Sequence, residues 1–346
     1  MCQRQRTTAK RHHIVPKLLL RRFAEDDRVW VLDRIKKKSY RTSIINAACE
    51  KDFYTVETNS EVGEDLVEQE FLPPIEGKAD LIIQNILDSR RLPKGVDWDL
   101  MACFLAIMYV RVHKLRNIIN CAWQTGSKLL VEQILLDEKR WKSIMQEVSQ
   151  QTGIDIDIKY EEALRAREKV NINVDIPRTY YVKEMLTSVL LFAQVFSEMT
   201  PHLEVTDVLC ESEFVISDCP ILPIPKSSNP SPNWRWYRNQ DANLFFPLSS
   251  RACFILSYDG FPTVQTVKKR HVAFVNHLMA CNSHRQIISK QQNFAWLKKN
   301  GATSTSHEEL LEFLEQISNE QPEKNLDKEF FQKGISNMLK ERETSE

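Results

Sequence analysis

The residues best suited to chemistry are two adjacent imidazoles, His12 and His13, in the run Arg11-His12-His13-Ile14-Val15-Pro16. Imidazole titrates near neutral pH and binds metals through its neutral nitrogen, so either ring can act as general base, phosphate binder or metal ligand. Asp218 follows the apolar run Phe214-Val215-Ile216-Ser217 and precedes Cys219-Pro220. A carboxylate where a strand gives way to a proline turn can hold a metal or orient a base. Arg111 ends an otherwise apolar helix, and a guanidinium there requires a carboxylate, a phosphate or water. Together these residues describe a phosphodiester-acting centre. His12 or His13 would be the base, His13 and Asp218 the ligands of Mg²⁺ or Mn²⁺, and Arg111 the clamp on the phosphate. Each also has a structural alternative. The histidines can pin a helix, Asp218 can bond its own turn, and Arg111 can pair with Glu64 or Glu68.

The elements that must position these groups are legible in outline. Pro16 suits the first turn of a helix carrying Leu18, Leu19, Arg22 and Phe23. Adjacent side chains of an extended lead-in point to opposite sides, so His12 and His13 face one pocket together only if the backbone bends. Arg28-Val29-Trp30-Val31-Leu32-Asp33 alternates as a strand, with 38–43 as its hairpin partner, a short helical piece over 46–50 and a further strand over 53–56. Helical periodicity then predicts a helix over 62–71 stopped by Pro73-Pro74, another over 76–87, and a long one from Asp97 through Ile119. Further helices are expected over 128–150, 160–168 and 179–199. Short strands are expected over 203–209, 213–217, 244–246, 253–258 and 264–267, then a helix over 271–288. Five prolines between Cys219 and Asn233 mark a long surface loop.

The expected architecture is therefore α+β, with a predominantly helical middle and a small sheet built from N-terminal and C-terminal strand segments. One domain is expected over 1–290, divided into a histidine-motif β-element (1–60), a helical region (61–200) and a strand-rich region with a late helix (201–290). Residues 291–346 read as a polar helical tail.

Composition narrows the classes of function. No apolar run approaches the ~18 residues of a membrane span, and Arg111, His113 and Lys114 end the greasiest stretch early. The basic N-terminus lacks the apolar region of a secretory signal. Eight scattered cysteines without a C-x-x-C pair suit free thiols in a reducing cytoplasm. Net charge is zero, yet residues 1–41 carry thirteen Lys/Arg against four Asp/Glu. Such a cluster, with Arg21 and Arg22 at its centre, can meet the phosphates of a nucleic acid. Trp234-Arg235-Trp236 interleaves aromatics with arginine, a pattern that stacks bases and neutralises phosphate, or else pins a long loop. His277, Cys281 and His284 share a helical face as three potential metal ligands, with no evident fourth. No P-loop, dinucleotide glycine fingerprint or G-x-S-x-G elbow is present.

Several ordered motifs resemble those of an uncharacterised prokaryotic family, domain of unknown function four-two-three-eight. They are His12-His13-x-Val15-Pro16 running on to Leu20, Arg21 and Phe23, Val29-Trp30-Val31-Leu32-Asp33, and Glu50-Lys51-Asp52-Phe53-Tyr54. Tyr109-Val110-Arg111, Phe214-Val215-Ile216-Ser217-Asp218-x-Pro220, Phe246-Pro247-Leu248-Ser249 and Asn276 continue the likeness. The resemblance implies no established activity. One departure stands out: the family's arginine is followed by Thr-Pro, where this chain has Val112-His113. The opening motif also looks like the first strand of ββα-metal nucleases, in which one histidine binds a divalent ion and another activates water. That likeness ends after about six residues, and the next histidine is His113. The expected function is a cytoplasmic, metal-dependent nuclease of prokaryotic defence or toxin type. The alternative is a non-catalytic sensor or adaptor that binds a nucleotide, nucleic acid or protein partner.

Overall fold

Strand pairing gathers segments far apart in the chain. A computed structural model describes residues 11–55, 67–155, 157–166, 174–207, 212–226 and 240–319. Its opening elements are β1 (Arg11–His13), α1 (Lys17–Arg21), β2 (Arg28–Asp33), β3 (Lys38–Ser43) and β4 (Cys49–Lys51). A π-helical turn, Val67–Phe71, runs into α2 (Leu72–Ser89) and is followed by α3 (Val96–Val110). The chain divides into two compact units. One draws on Met1–His113 and Val182–Glu346, the other on Lys114–Tyr181.

The second unit is helical. It holds most of α4 (His113–Ile134), then α5 (Glu138–Thr152), α6 (Tyr160–Ala166) and the start of α7 (Arg178–Ser197). Asp137 caps α5 by accepting from the Lys139 N–H at 2.9 Å, and Gly153 ends it in the left-handed conformation that glycine adopts without strain. Inside this unit Trp123 meets Tyr180 edge-on at 5.6 Å, and the Tyr160 hydroxyl donates to the Leu135 carbonyl at 2.8 Å.

The first unit then adds β5 (Thr200–Thr206), β6 (Ile216–Ser217), β7 (Leu222–Pro225), β8 (Ala242–Ser249), β9 (Ala252–Ser257) and β10 (Val264–Val267). It closes with α8 (Lys269–Asn282), β11 (Gln286–Ser289), β12 (Trp296–Leu297), β13 (Thr303–Ser304) and α9 (His307–Asn319). A five-stranded sheet runs β10-β5-β9-β8-β7, with β10 and β5 parallel and the remaining pairs antiparallel. A four-stranded sheet runs β3-β2-β11-β6, joining N-terminal to C-terminal strands as the sequence predicts. The fold is α+β.

Several elements differ from expectation, each for a physical reason. Pro73 and Pro74 open α2 instead of stopping a helix, because proline lacks only an N–H that the first turn leaves unbonded anyway. The helix expected from Asp97 through Ile119 breaks at Arg111, whose φ and ψ of −83° and 43° are not helical. The helix expected over 271–288 ends at Asn282, and Gln286–Ser289 becomes a strand between β2 and β6. Residues 46–48 form a turn, and pairing with β1 falls to Cys49–Lys51, not to a strand at 53–56. The proline-rich loop contributes Leu222–Pro225 as the edge strand β7, the position in a sheet that tolerates proline. After residue 291, Trp296 and Leu297 are buried, and the Trp296 indole donates to the Ser306 carbonyl at 3.1 Å. Residues 56–66, 227–239 and 320–346 lie outside the described residues, as do Glu64 and the Trp234-Arg235-Trp236 run.

Asp33 locks the middle of the four-stranded sheet. Its carboxylate, fully buried, accepts from the Arg285 guanidinium at 2.8 Å and from the Lys36 N–H at 2.9 Å. Burial pushes this carboxyl up, but the Arg285 fork and the Lys36 N–H outweigh it and hold it below its ordinary value. A depressed carboxyl stabilises the fold above the unfolded-state value, and the contribution fades as pH falls through the folded one. Asp33→Asn therefore costs about 1.5–3 kcal/mol at pH 7, the usual worth of a hydrogen bond to a charged group. In urea unfolding across pH 7 to 2.5, the gap between variant and parent closes below about pH 4. A gap that stays constant with pH would contradict this role.

Candidate functional site

β1 is three residues long, and pairing with β4 sets Arg11 opposite Lys51, His12 opposite Glu50 and His13 opposite Cys49. The two imidazoles diverge as extended geometry requires. His12 stacks on Tyr54 with ring centres 5.5 Å apart, and its Nδ1 accepts the Tyr54 N–H at 2.7 Å. That bond leaves the proton of the neutral ring on Nε2. His13 lies toward the Ile44 and Ile45 backbone and Lys17. Both are buried, His12 at 1% exposure and His13 at 7%.

Arg111 joins these residues to the helices. Its guanidinium is 1% exposed, and each of its three nitrogens has a partner. One terminal nitrogen meets Glu76 at 2.6 Å, Nε donates to the Tyr54 hydroxyl at 3.1 Å, and the other terminal nitrogen donates to the His13 carbonyl. The guanidinium also lies 5.5 Å from the centre of the Tyr54 ring. Burial would lower the Arg111 pKa, but Tyr54, Glu76 and Glu68 together raise it. The break after α3 is what turns this side chain into the cluster. Glu68, on the π-helical turn, is pushed above the ordinary carboxyl range by burial, against the pull of Arg111 and His12. Among the described residues its Oε2 has no hydrogen-bond partner, and neither has His13 Nε2.

Asp218 performs a different task. Its Oδ1 accepts the His284 N–H at 2.8 Å, and its Oδ2 accepts the N–H groups of Arg285 at 2.7 Å and Gln286 at 2.9 Å. Burial raises its pKa, opposed by those three donors. The carboxylate thus gathers the start of β11. From there the Gln286 side chain accepts the Ala48 N–H at 2.9 Å, and the Ala48 carbonyl accepts from Ile14 N at 2.8 Å. A hydrogen-bonded path therefore runs from Asp218 to the residue after His13. Beside it His113, two positions beyond Arg111, stacks on His284 at 4.4 Å and meets Glu50 at 2.5 Å. Burial and His113 lower the His284 pKa.

The remaining expectations fall as follows. Arg22 pairs with Asp80 at 2.7 Å and donates to the Leu18 carbonyl, so it ties α1 to α2, whereas Arg21 is exposed. His277 packs between Trp296 and Phe313, and its Nε2 lies 3.5 Å from Cys281 Sγ. The trio is broken because α8 ends at Asn282, ahead of His284. Among the described residues no group of three or more His, Cys, Asp or Glu is arranged to hold a metal ion. No helix there is long and apolar enough to cross a membrane. Tyr54 and Glu76 were not legible as partners of Arg111. Their only signal is type: an aromatic hydroxyl after Phe53, and an acid just past the prolines that open α2.

Asn276 organises a second region. Fully buried on α8, it accepts the Val215 N–H and donates to the Glu213 and Ala295 carbonyls, each at 2.9 Å. Phe214 N donates to the Ser250 carbonyl at 2.9 Å. These bonds fix the walls of a cleft of about 460 Å³ lined by Glu213, Phe214, Arg251, Lys269, Lys290 and Phe294, among others.

An α+β fold in which one four-stranded sheet joins early and late strands, with a buried arginine at the end of α3, defines the class only broadly. The family is more specific: the chain belongs to the family described as Protein of unknown function (DUF4238), whose profile matches residues 11–293. No curated protein and no solved structure matches the chain.

Burial, with Lys17 and Arg111 nearby, lowers the His13 pKa to about 4. The ring is thus neutral at pH 7 in the fold and takes a proton more readily when unfolded. Between about pH 6.5 and 4 the unfolded state binds the extra proton, so stability falls as pH falls across that window, by up to about 3 kcal/mol. His13→Gln removes the titration and flattens this part of the pH–stability curve. An imidazole that titrates near 6.5 in the folded protein by NMR would contradict the assignment.

Proposed function

We propose that the chain is a non-catalytic binding module, a sensor or adaptor, in which His12, His13, Arg111 and Asp218 hold the fold together. The observation that carries this reading is saturation. Each of the three nitrogens of the Arg111 fork and both oxygens of Asp218 are engaged by the protein's own groups. A phosphate clamp or metal ligand must offer donors or lone pairs to its substrate, and using these groups would break buried bonds. The alternative is the metal-dependent nuclease of defence or toxin type. Its support is the unpartnered Nε2 of His13 and Oε2 of Glu68, two titratable groups whose pKa values burial displaces in opposite directions. The described cysteines are all free thiols, which favours a reducing cytoplasm for either reading.

Incubation with single-stranded and double-stranded nucleic acids, with Mg²⁺, Mn²⁺ or chelator, separates the two. The binding module releases no fragments. Asp218→Asn, which sets an amide donor against backbone donors, loses about 1–3 kcal/mol of stability. Metal-dependent cleavage that disappears in Asp218→Asn while its melting temperature holds would establish the nuclease instead.

A further inference from the structure

Two thiols meet one guanidinium where α8 ends. Cys281 is half-buried, and Cys219, on the turn after β6, is 3% exposed. Arg34, the first residue after β2, reaches the same place. Its terminal nitrogens donate to the Ser283 carbonyl at 2.8 Å and the Leu314 carbonyl at 3.2 Å. The charge therefore stands at the negative end of α8 and offsets the dipole that disfavours an anion there. Burial lowers the Arg34 pKa, and Cys281, ahead of Asp218 and Cys219, pulls it back up. That attraction is mutual, so the guanidinium favours the thiolate of Cys281. Asp218 shares the cation, but three backbone N–H groups already hold its own charge. Cys281 has a second neighbour one turn back on α8, where His277 Nε2 lies 3.5 Å from its Sγ. This imidazole is 2% exposed, with Trp296 nearly parallel at 6.2 Å and Phe313 at 5.0 Å. Aromatic faces stabilise a cation, so the ring can take the thiol proton.

We infer that Cys281 is a redox modification site, a nucleophilic thiol that exchanges with low-molecular-weight disulfides. The thiol proton passes to His277 Nε2, and the thiolate attacks one sulfur of the disulfide. A bond forms between Cys281 Sγ and that sulfur as the original S–S bond breaks. The other half leaves as a thiolate and takes up the proton, so Cys281 is oxidised and the leaving sulfur is reduced. Cys219 shares the guanidinium but is closed to solvent, so the bond forms at Cys281. The next residue, Asn282, donates to the Cys219 and Ile221 carbonyls at 3.1 and 3.2 Å. A substituent on Cys281 therefore bears on the turn that joins β6 to β7. This chemistry goes beyond the binding-module reading and stands with or without it.

The test uses the reduced full chain and glutathione disulfide at a series of pH values from 7 to 9. Samples are quenched with acid, and the mixed disulfide at each cysteine is followed by peptide mass spectrometry. An ordinary thiol exchanges about twentyfold faster at pH 9 than at pH 7, because its thiolate fraction climbs across that range. Cys281 should speed up by less than about fivefold, being largely thiolate already at pH 7. The exposed Cys121 in the same digest shows that the reagent is active. Arg34→Gln removes the charge and keeps an amide donor for the two carbonyls. It should restore the steep rise at Cys281 and leave the Cys121 profile unchanged. The parent profile decides the question even if that variant does not fold. A rise of about twentyfold at Cys281 in the parent would overturn the site. So would the absence of mixed disulfide at Cys281 while Cys121 is modified, or a folded Arg34→Gln protein whose Cys281 profile matches the parent's.

Discussion

The buried guanidinium of Arg111 is the interaction on which the first unit depends. It stands where α3 ends, and it reaches the carbonyl of His13 on β1, the hydroxyl of Tyr54 after β4 and the carboxylate of Glu76 on α2. A charge this deep is tolerated only when each donor has a partner and the compensating carboxylate is close. The constraint runs outward from there. The helix must break at Arg111, the π-helical turn must bring Glu68 near, and Tyr54 must lie between His12 and the guanidinium. Removing any one of these leaves a charge or dipole uncompensated in the interior.

Asp218 solves a related problem at the far end of the chain. Three successive N–H groups at the head of β11 would otherwise be left short of acceptors, and one carboxylate takes them all. The same strand is clamped at Asp33 through Arg285 and tied to the histidine segment through Gln286 and Ala48. The two polar centres are thus parts of one frame, while the cleft at Glu213 opens at the other ends of the same two strands, β6 and β11, where Asn276 holds the backbone.

Some of this was legible in the sequence. The β2–β3 hairpin follows from alternation, β10 falls on 264–267 as expected, and the joining of early to late strands was anticipated. Periodicity failed where a buried polar group overrides it. Arg111 interrupts an apolar stripe that reads as one helix, and α8 stops at Asn282 so that β11 can enter the sheet. The importance of His12, His13, Arg111 and Asp218 shows in residue type alone, but their partners do not, since Glu76 and Tyr54 meet Arg111 only through tertiary packing. Glu213 carries no local signal. It is one acid before an apolar strand, and burial beside a cleft is a property of the fold.

The architectural role of Arg111 is tested most directly by a double-mutant cycle between it and Glu76. Urea unfolding of Arg111→Met, Glu76→Gln, the double variant and the parent gives the coupling between the two positions. An architectural pair predicts that Arg111→Met is strongly destabilising, by about 3–5 kcal/mol, because it takes their donor from the Glu76 carboxylate and the buried His13 carbonyl. The double variant should recover at least about 1 kcal/mol of the summed single losses. Additive effects, or an Arg111→Met protein as stable as the parent, would contradict the account and return Arg111 to the role of a charge held ready for a ligand.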